Sequence, residues 1–223
     1  MNMKKIIGLV LAIVVIATSF TGCELVNNFI GGGDNEGGGS TGKNSLLMEA
    51  EYTYMDEVAG AGISDGTSGL SMIYGQGTDA QKAKWSGGYY VGYMHNSNSV
   101  LTFEFNSSKA TSATLTFSIG CELNDMVLTS GENLAILVNG AEQFFTWSVT
   151  CSELDSAEFF KYTLTGVQLA AGANKIEIKV LPQDPNPARG PLVDCIKVVA
   201  SDSSVELNWS PKTDNPYRRD NEV

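Results

Sequence analysis

From Leu101 onward, apolar and polar side chains alternate in short runs. Leu101, Phe103 and Phe105 interleave with Thr102 and Glu104, and Ala113, Leu115, Phe117 and Ile119 with Thr114, Thr116 and Ser118. Ile176, Ile178 and Val180 interleave with Glu177 and Lys179, while Leu134, Ile136, Val138 and Phe160, Tyr162, Leu164 repeat the spacing. A period of two sends successive side chains to opposite faces of a strand, so each run predicts a half-buried strand. Turn-forming residues separate the runs at Asn106-Ser-Ser108, Ser130-Gly-Glu-Asn133, Asn139-Gly140 and Ala171-Gly-Ala-Asn174. No convincing amphipathic helix competes, and no internal repeat of about 20–50 residues is visible. The expected fold is all-β: an antiparallel β-sandwich over residues 45–200.

The flanks read differently. Lys4 and Lys5 precede an apolar run from Ile6 to Ala17, too short to cross a bilayer of about 30 Å comfortably and suited to an export signal. Phe20-Thr-Gly-Cys23 resembles a bacterial lipobox, with Phe20 where leucine is usual. Residues 1–22 are then a lipoprotein signal peptide, and Cys23 the acylated first residue of an exported protein held on the outer face of a bacterial membrane; two or more acyl chains make a stable anchor. Residues 23–44, rich in Gly, Asn and Ser, predict a flexible tether spanning on the order of 25 Å. Residues 201–223, polar apart from Trp209, read as a disordered tail or the beginning of a linker.

Composition narrows the chemistry. Of 14 basic side chains, Lys4 and Lys5 leave with the signal, so 12 face 25 acidic ones, and such a field disfavours nucleic acid as a partner. The single histidine, His95, makes a His-dependent active site improbable. Asp155 and Glu158 read as solvated charges, and no catalytic residue is assigned. With Cys23 lipidated, Cys121, Cys151 and Cys195 remain, an odd number with no metal-binding spacing. A Cys121–Cys151 bridge is open, and Cys195 in its apolar strand reads as a small buried hydrophobe.

Two stretches carry candidate sites. Trp85, Tyr89, Tyr90 and Tyr93 lie among glycines, where their rings either offer flat faces to a sugar or cap the end of the sandwich. Glu49 and Glu51, two apart in a strand, project from one face and can approach one hard cation; solvated edge-strand charges are the alternative.

The order of five motifs resembles the carbohydrate-binding modules of families 6 and 35: Met48-Glu-Ala-Glu51, Gly88-Tyr-Tyr-Val-Gly-Tyr93, Val138-Asn-Gly140, Val167-Gln-Leu-Ala-Ala-Gly-Ala-Asn-Lys-Ile-Glu-Ile178 and Gly190-Pro-Leu-Val-Asp-Cys-Ile-Lys-Val198. The resemblance implies a non-catalytic jelly roll with a structural Ca2+ held by Glu49, Glu51 and Asp194, helped by carbonyls from residues 65–71. It implies polysaccharide stacked on Tyr93 and Trp147, with Tyr89 and Trp85 nearby. Many such modules carry asparagine two residues before the terminal aspartate; here Leu192 stands there, so Asn186 or Arg189 must supply the polar contact. The expected function is polysaccharide binding by a lipid-anchored, calcium-stabilised module. The alternatives are a protein-interaction or adhesion module, favoured by Leu192, and the leading part of a larger polysaccharide-degrading enzyme, whose catalytic parts would then be partners.

Overall fold

The alternating positions become the inner faces of two packed sheets. Leu101, Phe103, Phe105, Leu115, Phe117, Ile119, Leu134, Ile136, Ile176 and Ile178 are all buried. The computed structural model describes residues 43–55, 72–74, 79–83, 85–92, 94, 99–121, 127–147, 149–150, 159–182 and 190–211.

In chain order the strands are β1 (Ser45–Glu49), β2 (Tyr54–Met55), β3 (Met72–Tyr74), β4 (Tyr90–Gly92), β5 (Val100–Ser107), β6 (Thr111–Cys121), β7 (Val127–Leu128), β8 (Leu134–Val138), β9 (Ala141–Glu142), β10 (Val149–Thr150), β11 (Phe160–Leu169), β12 (Gly172–Val180), β13 (Pro191–Ala200) and β14 (Leu207–Trp209). The first sheet runs β11-β6-β13-β4-β3, with β1 also on β13; the second runs β14-β5-β12-β8-β9, with β2 also on β5. Every strand pairing in them is antiparallel. The fold is the all-β sandwich the sequence pattern predicts.

Two register shifts change which side chains face inward. Between Leu164 and Val167 on β11 a bulge at Gly166, φ 73°, lets Val167 and Leu169 rejoin the core. Between Val193 and Cys195 on β13 the single extra residue is Asp194. A bulge of this kind re-aims side chains beside it. Ahead of it Val193 faces the core, and after it Ile196 and Val198 do.

The reading of residues 201–223 as a disordered tail is corrected in its first part. Leu207 is buried, β14 pairs with β5, the Leu207 amide donates to the Lys43 carbonyl at 2.7 Å, and Lys43 meets Glu206 at 2.9 Å. Leu207 and Trp209 supply apolar area that extends the sandwich past residue 200. The Asn139-Gly140 turn, with φ 52° and 81°, joins β8 to β9 as the hairpin its sequence predicts.

Candidate functional site

A row of paired residues crosses the first sheet: Lys161 opposite Ser118, Ser118 opposite Cys195, and Cys195 opposite Glu49. Directly paired residues project from the same face. Because Phe117, Ile119, Met48 and Ile196 face the core, this row lies on the outer face. It is nevertheless covered: Glu49 is 6% exposed, Ser118 1%, Cys195 3% and the adjoining Asp194 1%. Glu49, Asp194 and Cys195 each present a ligand atom, all within 4.8 Å of one another.

The cover is a tight turn, Ser86–Gly88. The Ser86 hydroxyl donates to Glu49 Oε1 at 2.6 Å and the Ser86 amide to Asp194 Oδ1 at 2.8 Å, so one residue ties both carboxylates together. Gly87, at φ 63°, is required by conformation and by space: a Cβ there would stand 2.6 Å from Glu51 Oε1. Sequence reasoning passed over Ser86 and Gly87, whose small size between Trp85 and Tyr89 is the only signal of a close backbone approach.

Glu51 is fully buried, as expected of a ligand, but by another route. Strand β1 stops at Glu49, and Glu51 lies in a 3₁₀ turn, Ala50–Tyr52, so its direction is set by the turn and not by strand alternation. Glu51 and Glu49 still converge, each with carboxylate atoms within 4 Å of the position a Gly87 side chain would take. The turn carries the chain over the edge from β1 in the first sheet to β2 in the second.

Burial sets the electrostatics. It pushes the Glu49 carboxyl up to about 7; the Ser86 hydroxyl opposes this, the Asp194 charge adds to it, and Lys161 opposes it. Asp194 is raised by burial too, against the Ser118 hydroxyl, Lys161, the Ser86 amide and the Cys195 thiol. Glu49 Oε2 is buried with no hydrogen-bond partner among the described residues. Gathered buried carboxylates with an unused lone pair are costly as they stand and suit a divalent cation, which needs oxygen donors and neutralises the repulsion. The chain's own residues fit such an ion.

Cys195 is buried, as expected of a small hydrophobe in an apolar strand, but it lies outside the hydrophobic cluster, on the acidic row, with Sγ donating to Asp194 Oδ2 at 3.6 Å.

The aromatic residues are distributed otherwise than expected. Trp85 is 5% exposed and packs edge-on against Tyr90 at 4.8 Å, so it caps the sandwich and has no free face for a sugar. Trp147 is stacked on Phe145 at 3.8 Å and on Tyr162 at 4.4 Å. Two near-parallel rings so close to one centroid must lie on opposite faces, so the free face expected of Trp147 is taken by protein. Tyr89 is half-buried against the core. Leu192 is buried. Tyr93, Asn186, Arg189, residues 65–71, Cys23, Cys151, His95, Asp155 and Glu158 lie outside the described residues.

A groove of about 450 Å³ runs along the second sheet, lined by Tyr52, Glu104, Asn106, Asn139, Lys175 and Trp209 among others. Glu104 and Asn106 alternate on β5 with the core residues Phe103 and Phe105, which places the groove on that sheet's outer face. Asn139 is held in place, accepting from the Lys175 amide and donating to Asn174 Oδ1, both at 2.9 Å. Trp209, half-buried, pairs with the core residue Phe105 and packs against the hydrophobic cluster, so it borders the groove at the sheet's edge with part of its ring. Its signal in the sequence, a lone tryptophan in a polar stretch, is present but too weak to assign.

No protein-family model matches the chain, and no curated protein does. Solved structures do. The chain is similar to carbohydrate-binding modules. A family 35 module from Cellvibrio japonicus is 16% identical with a TM-score of 0.48, over 74% of this chain and 97% of that one. A family 35 module from Paenibacillus barcinonensis is 21% identical with a TM-score of 0.43, over 70% and 98%. A Podospora anserina β-(1,4)-mannanase that carries a family 35 module is 17% identical with a TM-score of 0.47, over 72% of this chain and 28% of that enzyme.

Proposed function

We propose that the chain is a non-catalytic polysaccharide-binding module, held by acyl chains on Cys23 at the outer face of a bacterial membrane and stiffened by a calcium ion on Glu49, Glu51 and Asp194. The observation that carries the binding role is the groove: the part-exposed Trp209 ring at its edge, beside the Asn139 amide, held by two hydrogen bonds, and the Glu104 carboxylate. A pyranose has an apolar C–H face that packs on an aromatic ring and equatorial hydroxyls that planar amides and carboxylates can meet. With one such ring the affinity is modest, since an aromatic contact adds about 0.5–1.5 kcal/mol beyond area burial. Tyr93 and Asn186, implicated by the family resemblance, form a second candidate surface at the loop end.

The ion and the groove are linked through the turn Ala50–Tyr52, which holds Glu51 at its centre and presents the next residue, Tyr52, to the groove. Affinity electrophoresis in gels of glucan, mannan, xylan and pectin tests the reading. Retardation in at least one gel is expected, lost in Trp209→Ala, and weakened by chelator. Retardation that survives Trp209→Ala but not Tyr93→Ala moves the site to the loops, and no retardation in any gel overturns polysaccharide binding in favour of a protein-interaction module.

A further inference from the structure

We propose that Cys195 is a ligand of the cation site, making it a mixed oxygen–thiolate site that takes a thiophilic divalent cation of the zinc or cadmium class in preference to calcium. The proposal rests on the reading of Glu49, Glu51 and Asp194 as a cation site and adds a donor that changes which ion it selects.

The bulge at Asp194 is what brings the thiol into play. In an unbroken strand Asp194 and Cys195 would point to opposite faces, and one of them would leave the site. With the extra residue between Val193 and Cys195, Cys195 pairs with both Ser118 and Glu49 and shares their face. Its Sγ stands 3.6 Å from Asp194 Oδ2, and the ligand atoms of Cys195, Asp194 and Glu49 lie within 4.8 Å of one another. Ligand atoms on one zinc ion, bound at about 2.0–2.3 Å, are separated by roughly 3–4 Å, so small side-chain shifts close the set.

A further buried oxygen points to a ligand here: Glu49 is more than nine-tenths buried, and its Oε2 has no hydrogen-bond partner among the described residues. Hard calcium prefers about six to eight oxygens and gains little from sulfur, whereas thiolate favours zinc-class ions. On binding, the Cys195 proton passes to solvent and the sulfur lone pair goes to the cation.

The test uses the full chain, stripped by chelator, kept reduced with a non-thiol reductant, and titrated with Cd2+ or Co2+ while thiolate-to-metal charge-transfer absorption is followed. One equivalent should develop the band. Cys195→Ser should abolish it and weaken Cd2+ binding by at least the ~10–100-fold that loss of an outer-shell partner already costs, with calcium binding little changed. Because Cys195→Ser can misfold, the triple variant Cys23→Ser, Cys121→Ser, Cys151→Ser, which retains Cys195, must keep the band. If Cd2+ raises the melting temperature with no band, the site is all-oxygen, this proposal falls and the calcium reading stands; if the band survives Cys195→Ser, another cysteine supplies the thiolate and this proposal falls. If neither Cd2+ nor Ca2+ raises the melting temperature, the cation site itself falls.

Discussion

Replacing Glu49 with glutamine is expected to stabilise the cation-free protein at pH 8. Burial lifts the Glu49 carboxyl from 4.5 to about 7, and each unit corresponds to about 1.4 kcal/mol between its two protonation states. The charged form therefore costs the folded protein up to about 3 kcal/mol at pH 8, where it is ionised in both folded and unfolded chains. Glutamine removes the charge and still offers an oxygen to the Ser86 hydroxyl. The melting temperature of the stripped variant should exceed that of the stripped parent by up to roughly 10 °C. At pH 5, where folded Glu49 is mostly protonated, the advantage should nearly vanish. Adding calcium should reverse the order, because the parent gains from the ion by mass action and the variant has lost a ligand. Differential scanning calorimetry of both proteins, with and without calcium, reads all four values; a stripped variant less stable than the stripped parent at pH 8 contradicts the account.

Gly87→Ala should be the most damaging single methyl in the site. The residue sits at φ 63°, and its Cβ would stand 2.6 Å from Glu51 Oε1. Left-handed backbone costs a non-glycine residue about 1–2 kcal/mol, and the carboxylate must also move or the turn must lift. Gly88 supplies the control, since at φ 80° its Cβ would meet nothing within 4 Å. Gly88→Ala should thus show the backbone cost alone, with calcium stabilisation intact. Gly87→Ala should melt lower still and lose most of its response to calcium, because the turn that binds Glu49 and Asp194 through Ser86 no longer closes. Equal losses in the two variants would mean that the close approach to Glu51 has no consequence.

The sandwich was legible because its inner faces keep a strict period of two: Leu115, Phe117 and Ile119 needed no information from elsewhere in the chain. Glu49 and Glu51 were legible as two carboxylates two apart, and Asp194 only through the family resemblance. Their geometry was not. Alternation placed Glu51 in the strand with Glu49, whereas the strand ends and a 3₁₀ turn brings it back to the same place. The bulge on β13 had a signal: core positions Val193 and Ile196 are three apart, a spacing that a regular strand cannot keep on one face. Missing it hid that Cys195, though buried as expected, shares a face with Glu49. Ser86 and Trp209 were unreadable for a different reason, because each acquires its role from partners distant in sequence, Asp194 in one case and Phe105 on β5 in the other. Trp85 and Trp147 were misjudged because a ring suited to stacking on a sugar is equally suited to stacking on its own protein.

The central claim is that buried carboxylates on the outer face of the first sheet are held down by a cation. Without one, the Glu49 carboxyl, pushed up to about 7, means that the folded chain binds more protons than the unfolded chain between the ordinary carboxylate range and about pH 7, and the raised Asp194 carboxyl acts in the same direction, so stability falls as pH rises through that window. A bound cation favours the ionised forms and inverts the slope. The direct test is the melting temperature at pH 5 and pH 8, each with chelator and with calcium. The account predicts a higher melting temperature at pH 5 with chelator, and a calcium-induced rise that is large at pH 8 and small at pH 5. A melting temperature indifferent to calcium at pH 8, together with a chelated protein more stable at pH 8 than at pH 5, would contradict it.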